Sequence, residues 1–207
     1  TESNKAIAQK GYFTIALSGG NTPAILFKLL AEAPYKKNIK WKKVWIAFGD
    51  ERFVPATSNE SNYKMALETL LQHVPIAENN ILAVPVTNLT PAKAAKAYEQ
   101  QIRKHISVKN PFDLVLLGVG EDGHTASIFP HSSLLTEKKR WIKEIWVTEK
   151  NMHRISFTLP FINQSKNIAF LVSGSSKAAI VKKIFSRQGA SLPAARVKAQ
   201  KTSYWFL

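Results

Sequence analysis

Tyr12-Phe13-Thr14-Ile15-Ala16-Leu17, followed at once by Ser18-Gly19-Gly20-Asn21-Thr22-Pro23, decides the fold class. The first six residues are largely β-branched, aromatic or apolar and stop at a glycine turn, which predicts a buried strand. Thr22 is expected to cap the helix that follows. Pro23 would take its first position, and Ile25, Leu26, Leu29 and Leu30 would form its apolar face. Strand, glycine turn and helix in that order make a βα unit.

The same unit recurs along the chain. Strands are expected at residues 44–48, 80–84, 112–117, 145–147, 155–159, 168–172 and 204–207. Helices are expected at 61–71, 91–106 and 175–185. Such alternation predicts an α/β protein, a doubly wound, mainly parallel sheet with helices on both faces. No repeat, low-complexity tract or linker divides it, so residues 1–207 read as a single catalytic domain. The ends read as trimmed from a slightly longer protein. In such a sheet a ligand binds beyond the carboxyl ends of the strands, so the residues following Leu17, Phe48, Leu117, Leu159 and Val172 carry the functional question.

Composition removes several classes. No cysteine is present, which excludes disulfides, zinc-thiolate sites and thiol nucleophiles. No apolar run approaches the ~20 residues of a membrane span. The 29 basic against 14 acidic residues give a net charge of +15. Much of the excess is lysine in pairs (Lys36-Lys37, Lys42-Lys43, Lys138-Lys139, Lys182-Lys183) spread along the chain. A nucleic-acid binder more often concentrates charge on one element. A solvated lysine coat, with some steering of an anionic substrate, accounts for it better.

Four loops carry candidate chemistry. Gly19 and Gly20 allow close backbone approach to a ligand at a helix start, although a tight turn alone would also use them. Asp50-Glu51-Arg52 sets a guanidinium beside carboxylates that can aim it at a phosphate. Gly118-Val119-Gly120-Glu121-Asp122-Gly123-His124-Thr125-Ala126-Ser127 matches G-x-G-x-x-G only formally. It lies mid-chain with a histidine directly after it, unlike a dinucleotide fingerprint. His124, between Asp122 and the Thr125 and Ser127 hydroxyls, is the best-placed general base. His73 and His105 end helices, and His131 and His153 are expected in polar loops. Finally, Lys177 follows Ser173-Gly174-Ser175-Ser176 in a helix's first turn, where a cation opposes the dipole and so needs another purpose.

These segments together resemble the 6-phosphogluconolactonase family. The resemblance runs in order through residues 16–23, 49–55 with Ser61-Asn62, 112–130, 154–157, 174–178, 192–194 and 204–207. It implies a Rossmann-like fold shared with sugar-phosphate isomerases and deaminases, and hydrolysis of 6-phosphogluconolactone without metal or cofactor. His124 would activate water, with Asp50 also in the catalytic set. Gly19, Gly20, Thr22, Arg52, Asn62, Gly120, Gly123, Arg154, Lys177 and Arg196 would hold the substrate. Backbone N–H groups around Gly19-Gly20 or Gly120-Gly123 would receive the oxyanion. The partner would be a small-molecule sugar-phosphate lactone, with no nucleic acid or membrane, on a cytoplasmic monomer or weak homodimer. Two departures stand out: a fuller helix before the first strand and an aspartate after Trp205-Phe206-Leu207 are usual in the family and missing here.

The nearest rival is a glucosamine-6-phosphate deaminase. That family has Asp-Glu-Tyr where this chain has Asp50-Glu51-Arg52, and Ile-Ala-Phe-Asn-Glu-Pro where it has Thr125-Ala126-Ser127-Ile128-Phe129-Pro130. Both differences favour the lactonase. A basic nucleic-acid-binding domain is the rival from another class, and no zinc-finger, RNP or zipper motif supports it.

Overall fold

The computed structural model describes residues 1–106 and 111–207. Six strands, β1 (Phe13–Leu17), β2 (Val44–Phe48), β4 (Ile81–Leu82), β5 (Leu114–Leu117), β8 (Asn167–Leu171) and β9 (Thr202–Phe206), form one sheet in the order β4-β2-β1-β5-β8-β9. Every neighbouring pair in it is parallel. Counted along this sheet alone, the order is the doubly wound 3-2-1-4-5-6, whose direction reverses between β1 and β5. The consecutive residues Val115, Leu116 and Leu117 point alternately to opposite faces, yet all are buried, so both faces are covered.

The helices are α1 (Glu2–Lys10), α2 (Asn21–Leu30), α3 (Tyr35–Asn38), α4 (Asn62–Thr69), α5 (Pro91–His105), α6 (Leu159–Ile162) and α7 (Ala178–Ile184). A helix therefore does precede β1: the Thr1 hydroxyl caps α1 and Gly11 ends it in a left-handed turn. Its last residue, Lys10, pairs at 2.9 Å with buried Asp113, which also accepts from the Thr14 N–H and hydroxyl. That polar knot ties α1, β1 and β5 together at the sheet's amino edge, away from the loops of interest.

Two expectations need correction. Thr22 is not the cap of α2; the helix starts two residues earlier than expected, at Asn21, with Gly20 at the cap position and no side-chain cap. The turn of Gly20, at φ 107°, brings the chain into the helix already, and the Thr22 hydroxyl bonds Ser173 Oγ at 2.7 Å instead. His153 is not in a loop but in β7 (Met152–Phe157).

A second sheet was not foreseen. β3 (Asp50–Arg52), β7 and β6 (Ile142–Val147) form it, antiparallel throughout, in the order β3-β7-β6. Its register sets Arg52 directly opposite Arg154. Tyr98 of α5 secures the strand leading into it: its hydroxyl accepts from the Phe48 N–H at 2.7 Å and donates to the Phe48 carbonyl at 3.0 Å. Burial pushes that hydroxyl far above the ordinary tyrosine range, so it stays protonated and able to donate.

Candidate active site

At the reversal point between β1 and β5 the two following loops diverge, and a cleft of about 250 Å³ opens there. Ser18, Gly19 and Gly20 form one wall, and Gly118, Val119 and Gly120 form the other. Into it project Asp50 and Arg52 from β3, Asn62 from the start of α4, Arg154 from β7, His124 and Ala126 from a loop, and Lys177 from the 3-10 turn that leads into α7.

The turn carrying His124 is tied to itself. Gly120 N–H donates to the His124 carbonyl and Gly123 N–H to the Gly120 carbonyl, each at 2.9 Å. The Thr125 hydroxyl donates to the Gly118 carbonyl at 2.9 Å. The imidazole packs on Phe129 with ring centroids 4.4 Å apart. Its Nδ1 lies 2.6 Å from Asp122 Oδ1, a contact that favours the neutral tautomer with its proton on Nδ1. Any side chain at Gly120 would overlap the ring, which explains the glycine. Gly19 has the same reason, since a Cβ there would overlap the Asn62 amide.

Asp50, 6% exposed, is held from several sides. Ser127 Oγ donates to its carboxylate at 2.7 Å, Asn62 Nδ2 donates to its carbonyl at 2.9 Å, and Arg154 Nη1 stands 3.9 Å away. Arg154, 8% exposed, faces Arg52 across the β3–β7 ladder. Burial lowers its proton affinity, Asp50 raises it, and Arg52 lowers it further. Like charges directly opposite each other in a ladder are unfavourable. Both guanidinium Nε atoms are buried with no partner among the described residues. Two adjacent cations with unused donors make a place for an anion's oxygens. Lys177 adds a third cation, 3.9 Å from Glu121 Oε1.

Of the expected site residues, Gly19, Gly20, Asp50, Arg52, Asn62, Gly120, His124, Arg154 and Lys177 line this cleft together. Thr22 lines an adjoining cavity that shares Gly19, Gly20 and Lys177. Gly123 lies behind the His124 turn, its carbonyl accepting from Ala194 N–H at 3.1 Å. Arg196 is outside the lining: it is exposed in the turn Ala194–Arg196, whose last carbonyl accepts from Asn163 Nδ2. The N–H groups of Gly120 and Gly123 are spent inside their own turn. Those of Gly19 and Gly20 make no hydrogen bond among the described residues, and they alone of the four stay open to a ligand.

The sequence set Glu51 beside Arg52 but did not show its bonds to the start of α4, nor the bond from Ser127 to Asp50. Glu51 is 3% exposed; burial pushes its carboxyl above the ordinary range, and N–H donors from Asn62, Tyr63 and Arg52 pull it back. Ser61 at the α4 cap was the available clue. Among the described residues no three His, Asp or Glu side chains gather in a way that could hold a metal ion. No helix among them is long and apolar enough to cross a membrane.

Fold and cleft together define a class: a doubly wound α/β protein whose switch-point cleft sets an aspartate-paired imidazole among cations. Comparison with known proteins narrows it. Residues 1–205 match the family model described as glucosamine-6-phosphate isomerases/6-phosphogluconolactonase, and the chain belongs to that family. A 6-phosphogluconolactonase of Synechocystis is 39% identical, the match covering 100% of this chain and 86% of that protein. The crystal structure of a 6-phosphogluconolactonase from Thermotoga maritima superposes with a TM-score of 0.87 at 30% identity, over 99% of this chain and 89% of that one. A monomeric glucosamine-6-phosphate deaminase shares the fold, with a TM-score of 0.81 at 19% identity over 97% of this chain and 88% of that one.

Proposed function

We propose that this protein hydrolyses the lactone of 6-phosphogluconolactone to 6-phosphogluconate, with His124 as general base and no metal. The observation that carries the reading is the Asp122–His124 pair opening onto the cleft that Arg52, Arg154 and Lys177 also line. The names of relatives near 39% identity agree with it.

In this reading the phosphate is held by the guanidinium groups of Arg52 and Arg154 and the ammonium of Lys177. The lactone carbonyl then lies within reach of a water beside His124 Nε2. The imidazole takes a proton from that water as its oxygen bonds to the carbonyl carbon, work worth typically ~10²–10⁴-fold. Asp122 stabilises the resulting imidazolium. The oxyanion is received by the free N–H groups of Gly19 and Gly20. When the tetrahedral centre collapses, the ring C–O bond breaks and the imidazolium returns its proton to the departing alkoxide. The new carboxylic acid ionises at neutral pH, so each turnover releases one proton to solvent.

Proton release on mixing the protein with 6-phosphogluconolactone, above the spontaneous rate, tests the reading. Release of ammonia from glucosamine 6-phosphate, with no effect on the lactone, would replace it by the deaminase.

A further inference from the structure

We propose that Glu51 is a positioning residue: its buried carboxylate gathers the amino end of α4 and so holds Arg52 and Asn62 in their cleft orientation. The proposal rests on the lactonase reading and adds a residue to which that reading gives no part.

The geometry is specific. Glu51 Oε1 accepts from the Arg52 and Asn62 N–H groups, each at 2.7 Å. Oε2 accepts from the Tyr63 N–H at 2.8 Å and from Ser61 Oγ at 3.1 Å. Ser61 in turn caps α4 by accepting from the Lys64 N–H. All four partners of Glu51 are donors. Among the described residues no Lys, Arg or His stands within ion-pair distance, so this carboxylate is not neutralised by a cation. It serves as the anion that a helix amino terminus attracts, supplied here by the neighbouring strand.

The consequences reach the cleft along two short routes. Arg52 Nη1 donates to the Glu60 carbonyl at 2.6 Å, so the guanidinium is anchored to the segment that Glu51 gathers. Asn62 bonds Asp50 and packs on Gly19, which joins the phosphate arm to the Gly19-Gly20 wall. Glu51 itself does not line the cleft. An amide in its place would set an NH₂ against N–H donors and release at least one side of the clamp.

A double-mutant cycle tests this. Glu51→Gln should raise KM for 6-phosphogluconolactone, and Ki for inorganic phosphate as a competitive probe, about tenfold. Its kcat should stay within about threefold of wild type. In an Arg52→Ala background the same change should raise KM by clearly less than in the wild type, because only the Asn62 route is left for it to disturb. An equal rise in KM in both backgrounds, or a fall in kcat as large as the rise in KM, overturns the proposal. If Glu51→Gln does not fold, Ser61→Ala takes its place in the cycle, with the same non-additivity expected and additivity again contradicting it. If the wild type fails to hydrolyse the lactone, the functional reading falls. Glu51 is then judged by phosphate titration alone: a Kd weakened about tenfold supports its role, and an unchanged Kd removes it.

Discussion

Asp122 Oδ1 accepts twice from His124, from ring Nδ1 at 2.6 Å and from the backbone N–H at 3.0 Å. One carboxylate oxygen thus holds the backbone of the turn and favours one tautomer of its imidazole. Asp122→Asn keeps the shape but loses the charge that supports the imidazolium, and its amide can offer a donor to Nδ1. The expected result is a kcat lowered about 10- to 100-fold, less than for loss of the imidazole, with KM for the lactone little changed. Steady-state kinetics check it.

Gly120 is required by proximity. Its backbone suits any residue, but a Cβ would overlap the His124 ring. Gly120→Ala should therefore lower kcat at least about tenfold by displacing the base, while the thermal midpoint moves by only a few degrees. A midpoint collapse with normal specific activity in the surviving fold would contradict this account of the glycine.

Tyr98→Phe tests the anchoring of the strand that delivers Asp50. It leaves both the N–H and the carbonyl of Phe48 without their side-chain partner in a buried setting. A loss of roughly 2–3 kcal/mol is expected, read as a thermal midpoint lowered by roughly 4–12 °C. Denaturant titration with an unchanged m-value would confirm that only stability changed.

Glu137 gives a pH-dependent prediction. Its carboxylate accepts from the N–H groups of Lys139, Arg140 and Lys138 and pairs with Lys143 at 3.3 Å, which holds its pKa down to about 2. A carboxyl lowered by folding contributes stability that is complete above its unfolded value of 4.5 and is lost as pH falls through about 2. Glu137→Gln should thus be less stable than wild type by a constant margin from pH 7 to about 5, and the margin should shrink below pH 4.5. A margin that widens on acidification would contradict the sign.

The parallel sheet was legible because each of its strands carries a local signal. Leu114 to Leu117 is apolar without interruption, and Gly19-Gly20 and Gly118 punctuate the strand ends on which the cleft is built. The second sheet was not legible for the complementary reason. β3 is only Asp50-Glu51-Arg52, charged throughout, and its partner β7 lies about a hundred residues further along, so no window of sequence contains the pairing. The same distance hid the opposition of Arg52 and Arg154. Likewise, α1 lacks a long apolar face, and its stability comes from its caps and the Lys10–Asp113 pair. Arg196 was implied only by the family resemblance, and it is exposed in its turn, outside the cleft lining.

The central claim is that the His124 imidazole performs the chemistry while other residues hold the anion. Kinetics of His124→Ala on 6-phosphogluconolactone, followed by proton release and corrected for spontaneous hydrolysis, test it most directly. The account predicts kcat reduced by at least ~10²-fold with competitive inhibition by phosphate intact. A variant that turns over at the wild-type rate would contradict it.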